Sequence, residues 1–507
     1  MARKALCIFL ILCTAVSLFA FDSSAQRQFT ILQSKLDYNL NPHQASYSDE
    51  AQISTGLYEG LFSYNPYTLE PVPALAESYK ISRNKKIWTF TIRQGVTYSD
   101  GTPITPDEIK RSWLKLLAPE TNGPFASLLD CIEGAEAYRL GTGSQDNVAI
   151  SVNNDKLIVT LNTPTEHFSK LLCHHAFSAV PEKEHVYSGP FVLTKQTADE
   201  IILTKNALYW DADNVALPSI RIVLSDDIEE NTFQYNLGTY DWAAGNISSA
   251  KVYDTSTINL AAEFGTVFMF FMTDKAPWND SSIREALFMA TPWNKLRNGY
   301  FIQAETLLLP LSGYPSVIGF RDTDVDAARE LIAKSGLSKE ELTLTYAIMD
   351  SEDSLEQARI LADAWAEIGV SLNIITVPSI RYFDAIKTAG ADIYMYNWIG
   401  DFADPVAFLE LFRSSSSLRE TEWTSQEYDE LLVEASMLND PVERYKKLAQ
   451  AEQLLLDNYV VMPLAHSVSL NLIDLQAVGG WYANSLDIHP FKYLYLNKID
   501  LAIPNLI

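Results

Sequence analysis

Apolar and aromatic side chains alternate along residues 393–399, Ile-Tyr-Met-Tyr-Asn-Trp-Ile, the pattern of a strand half buried on a sheet. The period then changes. Phe408, Leu409 and Phe412 recur at helical spacing, Asp404 is a suitable N-cap and Pro405 suits a first helical position. Gly400-Asp401-Phe402-Ala403 joins strand to helix. With Asp404 assigned to the cap, Asp401 is the carboxylate left over. It sits at the C-terminal end of a strand beside Trp398, where an acid can hold a ligand's cation. A solvated turn aspartate is the alternative reading.

The same patterning predicts the neighbouring elements. Leu342–Tyr346 alternates, Ser354–Ile368 reads as a helix with Leu361, Trp365 and Ile368 on one face, and Gly369 stops it. Val370–Ile374 alternates again, and Ile380, Phe383 and Ile386 mark a further helix before Gly390. This β-α-β-α-β order predicts a mostly parallel sheet with helices packed on it. Ligands of such sheets lie beyond the carboxyl ends of the strands, where Asp401 falls. Upstream, Phe29–Leu32 is a first strand, residues 44–50 are a polar connection and Ile53–Leu61 is helical. Trp88–Ile92 is a strand, Asp100-Gly101 a tight turn, and Thr105-Pro106-Asp107-Glu108 a capping box that starts a helix through Leu117. Leu157–Leu161, Ile201–Thr204 and Ile220–Leu224 are further strands. Asp440-Pro441 opens a long helix, and the β-branched and aromatic tail from Val460 to Leu496 returns to the first sheet.

Length and charge narrow the classes. A chain of 507 residues exceeds one ordinary core, so two or three lobes are expected. A hydrophobic content of 47% with 11% aromatic residues is that of a globular protein. A net charge of −26 speaks against nucleic acid and against docking on anionic lipid. Arg3 and Lys4 precede an apolar run from Ala5 to Phe21, and Ser23-Ser24-Ala25 supplies small residues, so residues 1–25 read as a secretory signal peptide cut after Ala25, or after Ala20. No cysteine stands where a lipoprotein signal would place one, and the expected compartment is the periplasm. Cys131 and Cys173 remain in the mature chain, as a pair or as two buried thiols.

Catalytic motifs are missing. There is no His-Glu-x-x-His, Gly-x-Ser-x-Gly, P-loop or Cys-x-x-Cys, and Gly141-Thr142-Gly143 lacks a third glycine and opens no helix. Adjacent imidazoles at His174-His175 are expected to point apart, as ordinary core or surface histidines. Only seven histidines are present and none is expected to cluster usefully near Asp401, which speaks against nickel. Asp401 with Asp404 as an acid/base pair is the hydrolase reading, and the cap role of Asp404 explains it more simply. No catalytic residue, metal or cofactor is assigned. Ten tryptophans and 25 tyrosines suit a closing cleft for varied apolar groups.

Six stretches then fall in a recognisable order: Leu40-Asn41-Pro42-His43; LYEGLFSY from Leu57 to Tyr64; Pro73–Tyr79; WTFTIRQGVTYSDGTPIT from Trp88 to Thr105; Tyr209–Asn214; and Trp398–Pro405. Together they resemble the extracellular solute-binding proteins of peptide ABC transporters, the oligopeptide- and dipeptide-binding family 5, across nearly the whole mature chain. The resemblance implies an α/β fold of periplasmic-binding-protein type II, with two lobes, a hinge and an extra inserted domain. Lobe I would comprise residues 26–58, 184–266 and 483–507, the inserted domain 59–183, and lobe II 267–482. It implies a monomer that traps a short peptide and delivers it to membrane permease subunits. By the same resemblance Ala45, Ser46, Tyr47 and Ser48 would pair with the peptide backbone from one side and Asn397, Trp398 and Ile399 from the other. Asp401 would receive the α-amino group, and Phe125, in Gly123-Pro124-Phe125, would complete the site. An arginine used by some relatives for the peptide's carboxylate is Met395 here. A sugar, a cell-wall peptide or a nickel chelate is the alternative cargo, and a secreted hydrolase the remote alternative.

Overall fold

The computed structural model describes residues 27–165, 167–378, 382–438 and 440–497. The expected signal peptide and its cleavage site lie outside the described residues. One mixed sheet of eleven strands runs through the molecule. Its order from one edge is Ser371–Val377, Thr343–Met349, Ile393–Ile399, Ile258–Phe271, Val461–Ile473, Trp242–Ala244, Phe29–Gln33, Ser219–Leu224, Glu200–Lys205 and Phe191–Gln196, with Ile302–Gln303 beside Val461–Ile473. A second, antiparallel sheet of four strands holds Ala76–Ile81, Ile87–Ile92, Lys156–Thr160 and Ile150–Asn153 in that spatial order, so the later of the last two strands in sequence lies inside and the earlier at the edge.

The predicted β-α-β-α-β unit is present. Thr343–Met349 pairs in parallel with Ser371–Val377 over seven positions and with Ile393–Ile399 through Tyr346 and Ile393. Helices Glu352–Ala366 and Tyr382–Ala389 make the crossovers. The rest of the large sheet is mainly antiparallel, because long strands that traverse the molecule fold back on one another. Ile258–Phe271 and Val461–Ile473 are those strands, with 14 and 13 residues. Their pairing breaks register between Ala262 and Thr266. The break lets one pair of strands belong to two differently twisted halves of the sheet.

Separate apolar clusters pack on the two halves. Phe29, Ile31, Trp242 and Trp481 belong to one, and Phe271, Trp293, Tyr346 and Trp365 to another. A third joins the four-stranded sheet, through Trp88, Phe90 and Trp113, to Phe408, Phe412 and Tyr428. Helix Pro106–Leu117 starts as its sequence predicts: Thr105 Oγ1 accepts from the Glu108 N–H, and Ile109, Trp113, Leu116 and Leu117 are buried on its inner face. Trp113 Nε1 donates to the Phe177 carbonyl at 2.8 Å and Ser112 Oγ to the Ser178 carbonyl at 2.8 Å, so this helix fixes the segment that carries His174 and His175.

One helix begins earlier than its sequence suggests. Ser48–Leu57 replaces the expected Ile53–Leu61. The reason is Glu50, a buried carboxylate that accepts backbone N–H groups of Asn39 at 2.7 Å, Ser46 at 2.8 Å and Tyr47 at 3.2 Å, closing a capping box at Tyr47. Cys131 and Cys173 are free thiols.

A buried charge cluster ties the 123–139 region to the 413–417 region. Asp130 meets Arg139 at 2.5 Å and Arg413 at 2.9 Å, and Ser417 Oγ donates to the Pro124 carbonyl at 2.7 Å. Asp130→Ala removes the carboxylate shared by two largely buried guanidinium groups, leaving Arg413 with Glu410 at 3.1 Å and Arg139 with the Ser415 carbonyl at 2.6 Å. It is expected to destabilise the fold by roughly 3–5 kcal/mol, read as a fall in denaturant midpoint with an unchanged m-value.

Candidate functional site: a buried carboxylate in a cleft

Gly400 carries the chain from strand Ile393–Ile399 to Asp401. A Cβ at this glycine would lie 2.7 Å from the Phe264 ring, and the Gly400 N–H donates to the Phe264 carbonyl at 2.8 Å. Only glycine permits that approach. Trp398 Nε1 donates to the Ala407 carbonyl at 3.0 Å and staples the far side of the turn. The short helix starts at Val406, one residue later than expected, with Pro405 as its cap residue. Asp404 still accepts the Val406 N–H at 3.1 Å, but its larger role is a bidentate pair with Arg444, at 2.8 Å to each oxygen. Burial opposes its ionisation, yet His167 and Arg444 hold its carboxyl below the ordinary value. Asp404 is therefore a fixed structural anion, and the acid/base pairing with Asp401 does not form.

Asp401 lies in the wall of a cavity of about 710 Å³, within the range of small-ligand sites. Six separated stretches of chain line it, from residues 39–64, 120–125, 173–178, 396–401, 417–420 and 486–492. Ser46, Tyr47, Ser48, Phe125, Asn397, Trp398, Ile399 and Asp401 are all in that lining. Ala45 is not: it is fully buried behind the wall, where its carbonyl meets His175 Nε2 at 3.3 Å. The N–H groups of Ala45, Ser46 and Tyr47 are already engaged, the first by the Asn41 carbonyl and the others by Glu50. Strand Ile393–Ile399 is different. One edge pairs with Ile258–Phe271 along its whole length, whereas beyond Ile393 no strand among the described residues pairs with the other.

The histidines overturn one expectation. His174 and His175 do not point apart; their ring centroids are 4.1 Å apart and both are buried. A tight turn at residues 175–177, rather than a strand or regular helix, brings the two rings to one side. His174 Nε2 lies 3.3 Å from Asp401 Oδ1, with the two side chains 6% and 9% exposed. Phe125 packs edge-on against His174 at 4.4 Å and approaches Trp398 at 6.4 Å. Two histidines thus gather beside Asp401, where none was expected to cluster usefully. Among the described residues, however, no group of three or more His, Cys, Asp or Glu side chains is arranged to hold a metal ion. Met395 is absent from the lining and packs with the Trp293 and Trp365 cluster. Tyr64, Glu59 and Lys492 also line the cavity; the first two lie in the Leu57–Tyr64 stretch without a site role assigned from sequence, and Lys492 carries no local signal. The His174-His175 pair was visible, and only its tertiary setting was not.

Burial raises the Asp401 carboxyl to about 7, with the nearby His175 acting weakly in the opposite sense. Burial lowers His174 to about 3. The same desolvation that disfavours a carboxylate disfavours an imidazolium, so His174 and Asp401 do not form a buried ion pair. Asp401 Oδ2 is buried and has no hydrogen-bond partner among the described residues.

The chain is matched over residues 70–419 by the model of the bacterial extracellular solute-binding proteins, family 5. It belongs to that family. It is 28% identical over 483 residues to the oligopeptide-binding protein OppA of Bacillus subtilis, covering 87% of this chain and 88% of that one. It is 26% identical over 493 residues to the periplasmic murein peptide-binding protein MppA of Escherichia coli, covering 91% of each. The solved structure of E. coli MppA, described as a murein tripeptide-binding protein, superposes with a TM-score of 0.85 at 24% identity, over 94% of this chain and 99% of that one. The fold is thus the type II periplasmic-binding-protein α/β fold of this solute-binding family. No helix among the described residues is long and apolar enough to cross a membrane.

A raised carboxyl has a stability consequence. The folded-state value lies above the unfolded one, near 3.9, so the folded protein keeps the Asp401 proton over the interval between them and loses stability as pH climbs from about 4 to about 7. Asp401→Asn removes that cost. The ligand-free variant should match the parent at pH 4 and exceed it by roughly 2–4 kcal/mol at pH 8, measured by chemical denaturation.

Proposed function

We propose that this chain is the exported binding component of an ABC transporter that captures short peptides in its cleft and delivers them to the membrane permease. The observation that carries this reading is the conjunction of a strand edge on the cavity wall, Tyr396–Ile399, with a buried carboxylate at its end whose Oδ2 has no hydrogen-bond partner among the described residues. A peptide lying along that edge gives its main-chain hydrogen bonds to backbone, so affinity does not depend on its sequence. Its α-ammonium supplies the cation that Asp401 lacks. Asn397, Trp398 and Ile399 form the edge, Phe125 the facing wall, and Ser46, Tyr47 and Ser48 the opposite side. Because the N–H groups of Ser46 and Tyr47 are held by Glu50, that side contributes through carbonyls and side chains. Ala45 acts from behind by holding His175. The names of the OppA and MppA relatives support a peptide cargo.

Two lobes and a hinge are part of the proposal. Residues 26–58, 184–266 and 483–507 form lobe I, 59–183 the inserted domain and 267–482 lobe II. The register break between Ala262 and Thr266, where the two long strands cross, supports a hinge there. The protein acts as a monomer in the periplasm after removal of its signal peptide, and catalyses no reaction on its cargo; the locking of Asp404 by Arg444 supports that last point.

A second reading, a cell-wall peptide as cargo, is favoured by the 26% identity to the murein peptide-binding protein. Both readings place an amino group on Asp401. Asp401→Ala, or acetylation of the peptide's amino terminus, should each weaken binding by roughly 2–5 kcal/mol in calorimetry, and the two losses should not add. Unchanged affinity on both changes contradicts the assignment of Asp401.

A further inference from the structure

The loop that carries Asp401 is anchored at three points. The Gly400 N–H donates to the Phe264 carbonyl at 2.8 Å on one side, and Asp404 is paired with Arg444 on the other. Between these, the Asp401 carbonyl accepts the Tyr64 hydroxyl at 3.2 Å, and no other group among the described residues bonds that carbonyl. Tyr64 is firmly placed. It ends the strand Phe62–Tyr64, which pairs with Pro71–Pro73, and Phe62 packs edge-on against Tyr79 at 5.2 Å and Phe90 at 6.0 Å in the four-stranded sheet. Its side chain is buried, lines the same cavity as Asp401, and burial keeps the phenol protonated as a donor.

Tyr64 falls in the inserted domain and Asp401 in lobe II, by the division proposed above. The same two bodies meet along a polar seam that begins at the cavity wall, where Pro124 and Ser417 are both lining residues. Ser417 Oγ donates to the Pro124 carbonyl at 2.7 Å and accepts the Ser127 N–H at 3.1 Å. Further out, Arg413 meets Asp130 at 2.9 Å, Arg139 donates to the Ser415 carbonyl at 2.6 Å, and Thr163 Oγ1 donates to Ser436 Oγ at 3.4 Å. Each contact joins residues 59–183 to residues 267–482. All of them part when the lobes part, and the bond from Tyr64 to the Asp401 carbonyl parts with them.

We propose that Tyr64 is the positioning residue of the amino-terminus subsite, and that this subsite is complete only when the inserted domain and lobe II are closed on one another. The inference rests on the two-lobe, peptide-receptor reading above. Tyr64 holds the main chain of Asp401 and so sets where Oδ2 points, an oxygen with no hydrogen-bond partner among the described residues. In the open form the loop loses that restraint and the carboxyl group meets water, where an ammonium gains little from it. Closure dries the carboxyl group and aims it in one step. A free amino terminus is therefore recognised by the closed state and not at first encounter, and it favours closure by the difference.

Calorimetry and stopped-flow release of trialanine and N-acetyl-trialanine from the mature protein test both parts. Tyr64→Phe removes one oxygen and keeps the ring. It should weaken trialanine about five- to tenfold and leave the acetylated peptide, which has no ammonium to place, within about twofold of the parent. In an Asp401→Ala background the same substitution should change neither affinity further. Equal losses for the two peptides, or no loss for either, overturn the positioning role while the receptor reading stands. Ser417→Ala cuts the seam beside the cavity and keeps the phenol in place. It should speed release of both peptides by a similar factor, and a change confined to trialanine contradicts the coupling to closure. A parent protein that binds neither peptide, and whose melting temperature no tripeptide or pentapeptide raises, removes the receptor reading and this inference with it.

Discussion

The arrangement depends on keeping one carboxyl group dry at the end of a strand. A carboxylate removed from water without a partner is among the costliest groups a fold can hold. Here the cost is imposed by several independent devices. Gly400 lets Phe264 close against the turn, Trp398 is tied to the Ala407 carbonyl, and Arg444 takes the neighbouring Asp404 out of contention. His174 lies 3.3 Å from Asp401, and burial keeps that imidazole neutral, so it brings no counter-charge. A site built this way is destabilised when empty at neutral pH, and the missing term is a cation. Stability given up at a binding site is recovered when the ligand arrives.

The large sheet places that site. Two strands of 14 and 13 residues thread both halves of the molecule and shift register between Ala262 and Thr266. The Ile393–Ile399 strand is laid against one of them, and its last residues, Tyr396–Ile399, line the cavity. The four-stranded sheet and the helix Pro106–Leu117 approach from the opposite side, carrying Phe125 and, through Trp113, the histidine segment. The cluster of Asp130 with Arg139 and Arg413 clamps these two sides together. Main-chain recognition and charge recognition are thereby separated: the edge reads no side chains, and Asp401 reads only a positive end.

Much of this was legible in the sequence because the signals were local. The alternation at Leu342–Tyr346, Val370–Ile374 and 393–399, the Thr105 and Asp440 caps, and the glycine before Asp401 all act within a few residues. Misreadings arose where a distant partner decided the outcome. Glu50 draws backbone donors from Asn39, Ser46 and Tyr47 and starts a helix that hydrophobic spacing alone begins at Ile53. Asp404 reads as a cap because its partner Arg444 is 40 residues away. His174 and His175 read as diverging because a regular element was assumed, whereas a tight turn puts both rings on one wall. The sheet as a whole is less parallel than the β-α-β-α-β order suggested, since the traversing strands pair antiparallel to it.

The most direct measurement is a crystal structure of the mature protein with a short peptide bearing a free amino terminus. The peptide nitrogen is expected about 2.7–2.9 Å from Asp401 Oδ2, the distance of a charge-assisted bond, with main-chain hydrogen bonds to the Asn397–Ile399 edge. A peptide lying with its carboxylate or a side chain at Asp401, or bound away from that edge, would contradict the account.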